Sequence, residues 1–188
     1  MSSLLDLPQA GRYGIIYADP PAHFKVRSAK GAGRSASRHY LTMTKAEILA
    51  LPVAQIAAPD CVLFLWATDP MLKQALETIE AWGFAYKTVG FYWAKLNRSG
   101  KGYFMGGGYW TRANPEQCLL ATRGSPKRVS KAVRRLHISP RREHSRKADG
   151  IRTDIVDLCG DIPRVELFAR TEIEGWDSWG IETGKFSP

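Results

Sequence analysis

An aspartate followed by two prolines, Asp19-Pro20-Pro21 in "YADPPAHF", closes an apolar run carrying Tyr13, Ile15, Ile16 and Tyr17. Those β-branched and aromatic types favour a strand, and the prolines, which cannot donate ladder hydrogen bonds, lie beyond its end. The pattern puts Asp19 at a strand's carboxyl edge, where open α/β sheets bind their ligands. A carboxylate there serves as a metal ligand, a general base, a turn cap or an acceptor for a ligand's hydrogen bonds. The prolines favour the last, because they fix the backbone after Asp19 and leave carbonyls with no competing N–H. An exocyclic amine has two N–H donors. Asp19 and the Pro20 carbonyl can accept both, turning the nitrogen lone pair toward an electrophile. A second acid, Glu166 in "RVELFAR", ends another apolar strand. Buried there it needs a partner, either a ribose diol or a nearby arginine.

A sheet has to hold these side chains. The 188 residues, 44% of them hydrophobic, can bury a core as one domain spanning 1–188. After the first strand, "HFKVRSAKGAGRSASRHYLTM" reads as a long mobile loop. Thr44 and Glu47 form a capping box that opens a short helix ending before Pro52. Met71, Leu72, Ala75, Leu76, Ile79 and Trp82 recur at helical spacing, with Gly83 to close the helix. "GIRTDIVDLCG" is a third helix, and strands are predicted at "CVLFLWAT", "YKTVGFYWAKL", "CLLATRG" and finally "RVELFAR". "YFMGGGYWTRANPEQ" is a glycine-rich loop, and "SPKRVSKAVRRLHISPRREHSRKAD" is basic and mostly irregular. Strands alternating with helices predict an α/β fold, a mostly parallel sheet flanked by helices. Cys61, Cys118 and Cys159 are odd in number and lack CxxC spacing, so they support neither a disulfide framework nor a zinc site. No apolar run is long enough to span a bilayer and the amino terminus lacks a signal pattern, so a reducing, cytoplasmic setting is expected.

Seven stretches resemble, in order, segments of the MT-A70 family of adenine N6-methyltransferases: "ADPPAHF", "HYLTMTKAEILALPV", "CVLFLWAT", "AWGFAYKTVGFYWAK", "GYWTRANPEQCLLATRGSP", "PRREHSRKAD" and "VELFARTEIEGWDSWG". The resemblance covers residues 12 to about 182. It implies a Rossmann-like class I methyltransferase fold in permuted order, with the catalytic DPPW motif early and the strand for the cofactor S-adenosylmethionine late. It matches Asp19, Pro20, Pro21 and Ala22 to that motif. By the same resemblance Lys147 lies near the methionine carboxylate, Glu166 near the ribose and Phe168 against the adenine, with Asp19 and Arg170 in the same set. The chain departs from the family twice. Ala22 stands where relatives carry the tryptophan expected to hold the flipped adenine, and such stacking is worth about 1–3 kcal/mol, or roughly 5- to 150-fold in affinity. The chain is either a substituted variant weakened in this way or a natural member that has lost or relocated the platform. Ile181 replaces an asparagine, with Glu182 beside it to compensate.

The net charge of +9 and isoelectric point near 9.6 fit a polyanionic partner. Lys25, Arg27, Lys30, Arg34, Arg38 and Lys45 follow the motif with no acid among residues 25–45. Residues 123–147 hold ten lysines and arginines, Arg141 and Arg142 among them, against the single Glu143. Both stretches are expected to flank the site and contact phosphates, a solvated face being the alternative. Tyr40, Tyr109 and Trp110 either stack on bases or fill the core. The expected substrate is adenine in DNA, presented unpaired or flipped, with RNA as the alternative and a catalytically silent nucleic-acid-binding member as the other. A homodimer is compatible with the sequence, and no metal or membrane is called for.

Overall fold

A computed structural model of the chain describes residues 3–21, 42–142 and 146–180. The loop expected after the motif, Ala22, Lys25, Arg27, Lys30, Arg34, Arg38, Tyr40, Ile181 and Glu182 lie outside the described residues. Among the described residues, seven strands form one sheet: β1 (Tyr13–Ala18), β2 (Ala57–Ala67), β3 (Ala85–Leu96), β4 (Glu116–Arg123), β5 (Leu136–Pro140), β6 (Arg164–Leu167) and β7 (Asp177–Trp179). Their order is β5-β3-β4-β2-β1-β6-β7. Only β4 runs against its neighbours β2 and β3; every other pairing is parallel. The carboxyl ends of six strands and the amino end of β4 therefore share one edge of the sheet.

All six residues of β1 are buried, as a strand covered on both faces requires. Side chains alternate across the sheet. Ile16, Ala18, Leu63 and Leu65 enter one apolar cluster with Ile79 and Trp82, while Ile15, Tyr17, Val62 and Phe64 enter the other with Ile151 and Ile155. Three short helices, α1 (Lys45–Leu49), α2 (Val53–Ile56) and α3 (Leu72–Ala81), cover the first face, and α4 (Gly150–Cys159) covers the second. The capping box on α1 forms as the sequence indicates: Glu47 N donates to Thr44 Oγ1 at 3.3 Å and Thr44 N to Glu47 Oε2 at 2.7 Å. Helix α3 ends where Gly83 takes a φ of +80°, and Trp82 Nε1 donates to the Ile48 carbonyl at 2.9 Å, tying α3 to α1. The expected α/β sandwich, a Rossmann-like sheet, is observed.

The structure refines one reading and corrects two. The basic stretch is mostly irregular, as expected, and within it Leu136–Pro140 pairs with β3 in the register Tyr92↔Leu136. As an edge strand with Leu136 and Ile138 exposed, it lacks the apolar run by which buried strands announce themselves. Strand β6 is not the last, because three-residue β7 follows it. And the basic stretch does not lie all at one place. Antiparallel β4 carries the chain to the amino-end side of the sheet, where Val129 N donates to Leu158 O near the carboxyl end of α4 at 2.8 Å. Lys127, Arg128 and Lys131 are thus remote from Asp19; only the part from Arg141 onward returns to its edge.

Candidate functional site

Strand β1 delivers Asp19 to the shared edge, and Pro20 and Pro21 stop the ladder there. Met43 N donates to the Pro21 carbonyl at 2.9 Å, which pins the turn. The segment before α4 brings Lys147 to the same place. Lys147 Nζ donates to Asp19 Oδ2 at 2.8 Å and lies 3.4 Å from Glu116 Oε2, while Glu116 Oε1 takes Lys95 Nζ at 2.6 Å. Asp19, Lys147, Glu116 and Lys95 form a line of alternating charge drawn from β1, the α4 approach, β4 and β3. Its floor is aromatic. Lys147 Nζ sits 5.3 Å from the centre of the Trp66 ring and Lys95 Nζ 5.5 Å from that of Trp93, the two rings meeting edge to face. Both tryptophans are anchored, Trp66 Nε1 to the Tyr17 hydroxyl at 2.6 Å and Trp93 Nε1 to Ser139 Oγ at 2.8 Å. Burial alone would raise the Glu116 carboxyl, but the two ammoniums outweigh it and hold its pKa at about 2.

The neighbouring end of β6 carries Glu166. Arg152, in the first turn of α4, grips it with both arms, Nε to Oε2 at 2.6 Å and Nη2 to Oε1 at 2.7 Å. The arginine foreseen as a partner for this acid is therefore in place. Burial pushes the Glu166 carboxyl up, with Arg152 opposing the rise. Beyond β6, Phe168 adopts a φ of +62°, a left-handed backbone rare for an aromatic residue, and its ring meets Trp179 edge to face at 5.4 Å. Ala169 N donates to Trp179 O at 3.0 Å, and a Cβ on Gly180 would come within 2.6 Å of the Ala169 carbonyl. The turn after β6 and the end of β7 are therefore packed backbone to backbone. Arg170 is half-buried in that turn.

Of the two arginines expected to meet nucleic acid, Arg141 lays its guanidinium 4.2 Å from the centre of the Phe104 ring, and Arg142 pairs with Asp149, which Arg146 also approaches at 3.3 Å. Sequence reasoning missed Glu116, Lys95 and Arg152. A signal for Glu116 was present: it is the only acidic residue between Glu80 and Glu143. A lone acid at a strand's start amid so many cations has to be paired.

The MT-A70 family profile matches residues 13–182, almost the whole of this edge-built arrangement. The chain belongs to the MT-A70 family. A type II methyltransferase, M.MunI of Mycoplasma sp, is 33% identical over 91% of the chain and 78% of its own length. The N(6)-adenosine-methyltransferase catalytic subunit METTL3 of Homo sapiens is 27% identical over 88% of the chain, and the N6-methyladenosine RNA methyltransferase MTA1 of Cryphonectria parasitica is 30% identical over 95%. The chain spans only 27% and 54% of those two relatives, and similarly small shares of the plant ones.

N6-adenosine methyltransferases of this family use S-adenosylmethionine, and the residues on the edge suit such a group. Lys147 offers an ammonium to a carboxylate. Glu166 keeps a second lone pair on each oxygen beyond those taken by Arg152, enough for a diol. Phe168, partly buried, offers an aromatic face to a base. Among the described residues, no helix is long and apolar enough to cross a membrane.

Proposed function

We propose that this chain is an adenine N6-methyltransferase acting on DNA, working as one domain across residues 1–188. The observation that carries the reading is the 2.8 Å contact between Asp19 and Lys147, which joins the motif acid to a residue 128 positions away at the carboxyl edge. S-adenosylmethionine supplies an electrophilic methyl group. Lys147, Glu166, Phe168 and Arg170 bind it, and Glu182 takes part from beyond β7. Asp19 and the Pro20 carbonyl accept the two N–H groups of the adenine amine and aim its lone pair; Asp19 is the acceptor closest to the proton released after transfer. Lys147 balances the Asp19 charge from one side while Glu116 and Lys95 hold Lys147 in position. Ala22 leaves the adenine without the family's tryptophan and slows turnover.

The type II methyltransferase, 78% of whose length the chain covers, supports DNA; the RNA methyltransferase among the relatives makes RNA the second reading. Three buried cysteines, all free, suit a reducing cytoplasm, and burial pushes their thiols up, Cys61 to about 12 and Cys159 to about 11. The test is nucleoside analysis by mass spectrometry after incubation with S-adenosylmethionine and matched single- and double-stranded DNA and RNA. N6-methyladenine in DNA is expected. The modified base in RNA alone would move the assignment to the second reading.

A further inference from the structure

The connection between β3 and β4, residues 97–115, leaves and re-enters the sheet at the edge that holds Asp19, Lys147 and Glu116. It is built to hold a shape. Asn114 Oδ1 accepts from Lys95 N at 3.1 Å, and its Nδ2 donates to Lys95 O at 2.8 Å and also to Phe104 O. Gly106 N donates to Ala113 O at 2.7 Å, Ala113 N to Gly107 O at 3.1 Å, and Arg112 Nε to Gly106 O at 2.7 Å. A Cβ on Gly108 would fall 1.9 Å from Thr111 O, so only glycine closes this turn. At the tip stands Trp110, 92% exposed with a φ of +69°, beside exposed Tyr109 with the rings edge to face. The other five tryptophans are buried. An indole held in solvent on a left-handed backbone gains nothing for the fold.

The surroundings say what covers it. Residues 97–115 carry Arg98, Lys101 and Arg112 and no acid, and Arg141 packs on Phe104 of the same loop. Cations interleaved with exposed aromatics beside a catalytic edge match an unpaired nucleic-acid strand, whose phosphates take the charge and whose bases offer flat faces. Position 22 is alanine and offers no aromatic face, whereas Trp110 offers one to another base of the strand. We infer that Trp110 stacks on a base of the single strand that presents the target adenine, making the 97–115 loop a substrate-binding element. This rests on the proposed function and names a new contact for it.

Trp110, the one exposed indole, reports on its own contact. The unsubstituted protein is titrated with a single-stranded oligodeoxynucleotide and with an abasic strand of equal length and charge, following tryptophan fluorescence and, with a labelled strand, anisotropy. Quenching is expected with the base-bearing strand and not with the abasic one, and Trp110→Phe should abolish the quenching while holding affinity within about threefold. Trp110→Ala should weaken binding of the base-bearing strand by about 5- to 150-fold, leave the abasic strand's affinity unchanged and leave calorimetric binding of S-adenosylmethionine unchanged. Full affinity in Trp110→Ala, or equal losses for both strands, would overturn the inference while methyl transfer by the unsubstituted chain kept the broader reading intact. Loss of self-association in place of strand affinity would make Trp110 a protein contact and overturn it too. Failure of the unsubstituted chain to bind any strand would sink both.

Discussion

At the scale of single residues, the line Asp19–Lys147–Glu116–Lys95 makes an electrostatic commitment that pH can probe. The Glu116 carboxyl is held at about 2, below the ordinary glutamate value, so the unfolded chain binds its proton first as pH falls. Its stabilising share is complete above the unfolded value of 4.5 and disappears as pH drops toward 2. Glu116→Gln should therefore lower the unfolding free energy at pH 7 and show a clearly smaller gap to the unsubstituted chain at pH 3, read by urea denaturation at both values. An equal gap at both would show that Glu116 acts by shape and not by charge. Asp19 and Glu166 were readable from local sequence because prolines and apolar runs mark strand ends, and Lys147 and Phe168 through the resemblance. Lys95 and Arg152 were not, because their meaning comes from partners on other strands: Lys95 meets Glu116 only once β3 and β4 pair, and Arg152 meets Glu166 only once α4 docks beside β6.

Elements differ in how clearly local chemistry declares them. The capping box of α1 is written in four residues, and the structure contains both of its hydrogen bonds. Thr44→Ala removes the acceptor for Glu47 N and should cost about 1 kcal/mol, lowering the Tm by roughly 2–4 °C in a calorimetric scan. No change would mean that packing of Ile48 and Trp82 alone fixes the helix. The core strands β1 and β2 were legible for the same local reason, being apolar on both faces. Strands β5 and β7 were not. The first exposes alternate side chains at the sheet's edge and the second has three residues, so their pairing is dictated by the neighbours β3 and β6.

Across the whole molecule, the alternation of strands and helices was enough to predict the sandwich, but the direction of one strand redistributes the surface. By running backward, β4 sends Lys127, Arg128 and Lys131 to the far end and places the loop of Trp110 and the lone acid Glu116 at the working edge. No composition argument could see this, since strand direction is set by long-range pairing. What the edge assembles is Asp19, the lysine that pairs with it and Glu166 near the end of β6; on the proposed function these are the amine acceptor, its balancing charge and a cofactor-binding acid, and the alanine at position 22 is a lost adenine platform. The most direct measurement is transfer of labelled methyl from S-adenosylmethionine to adenine-containing single-stranded DNA by the chain, its Ala22→Trp variant and Ala22→Trp combined with Asp19→Ala. Weak labelling is expected from the chain, about 5- to 150-fold more with the tryptophan, and none once Asp19 is removed. Labelling that ignores both substitutions, or none with the tryptophan restored while S-adenosylmethionine still binds, would contradict it.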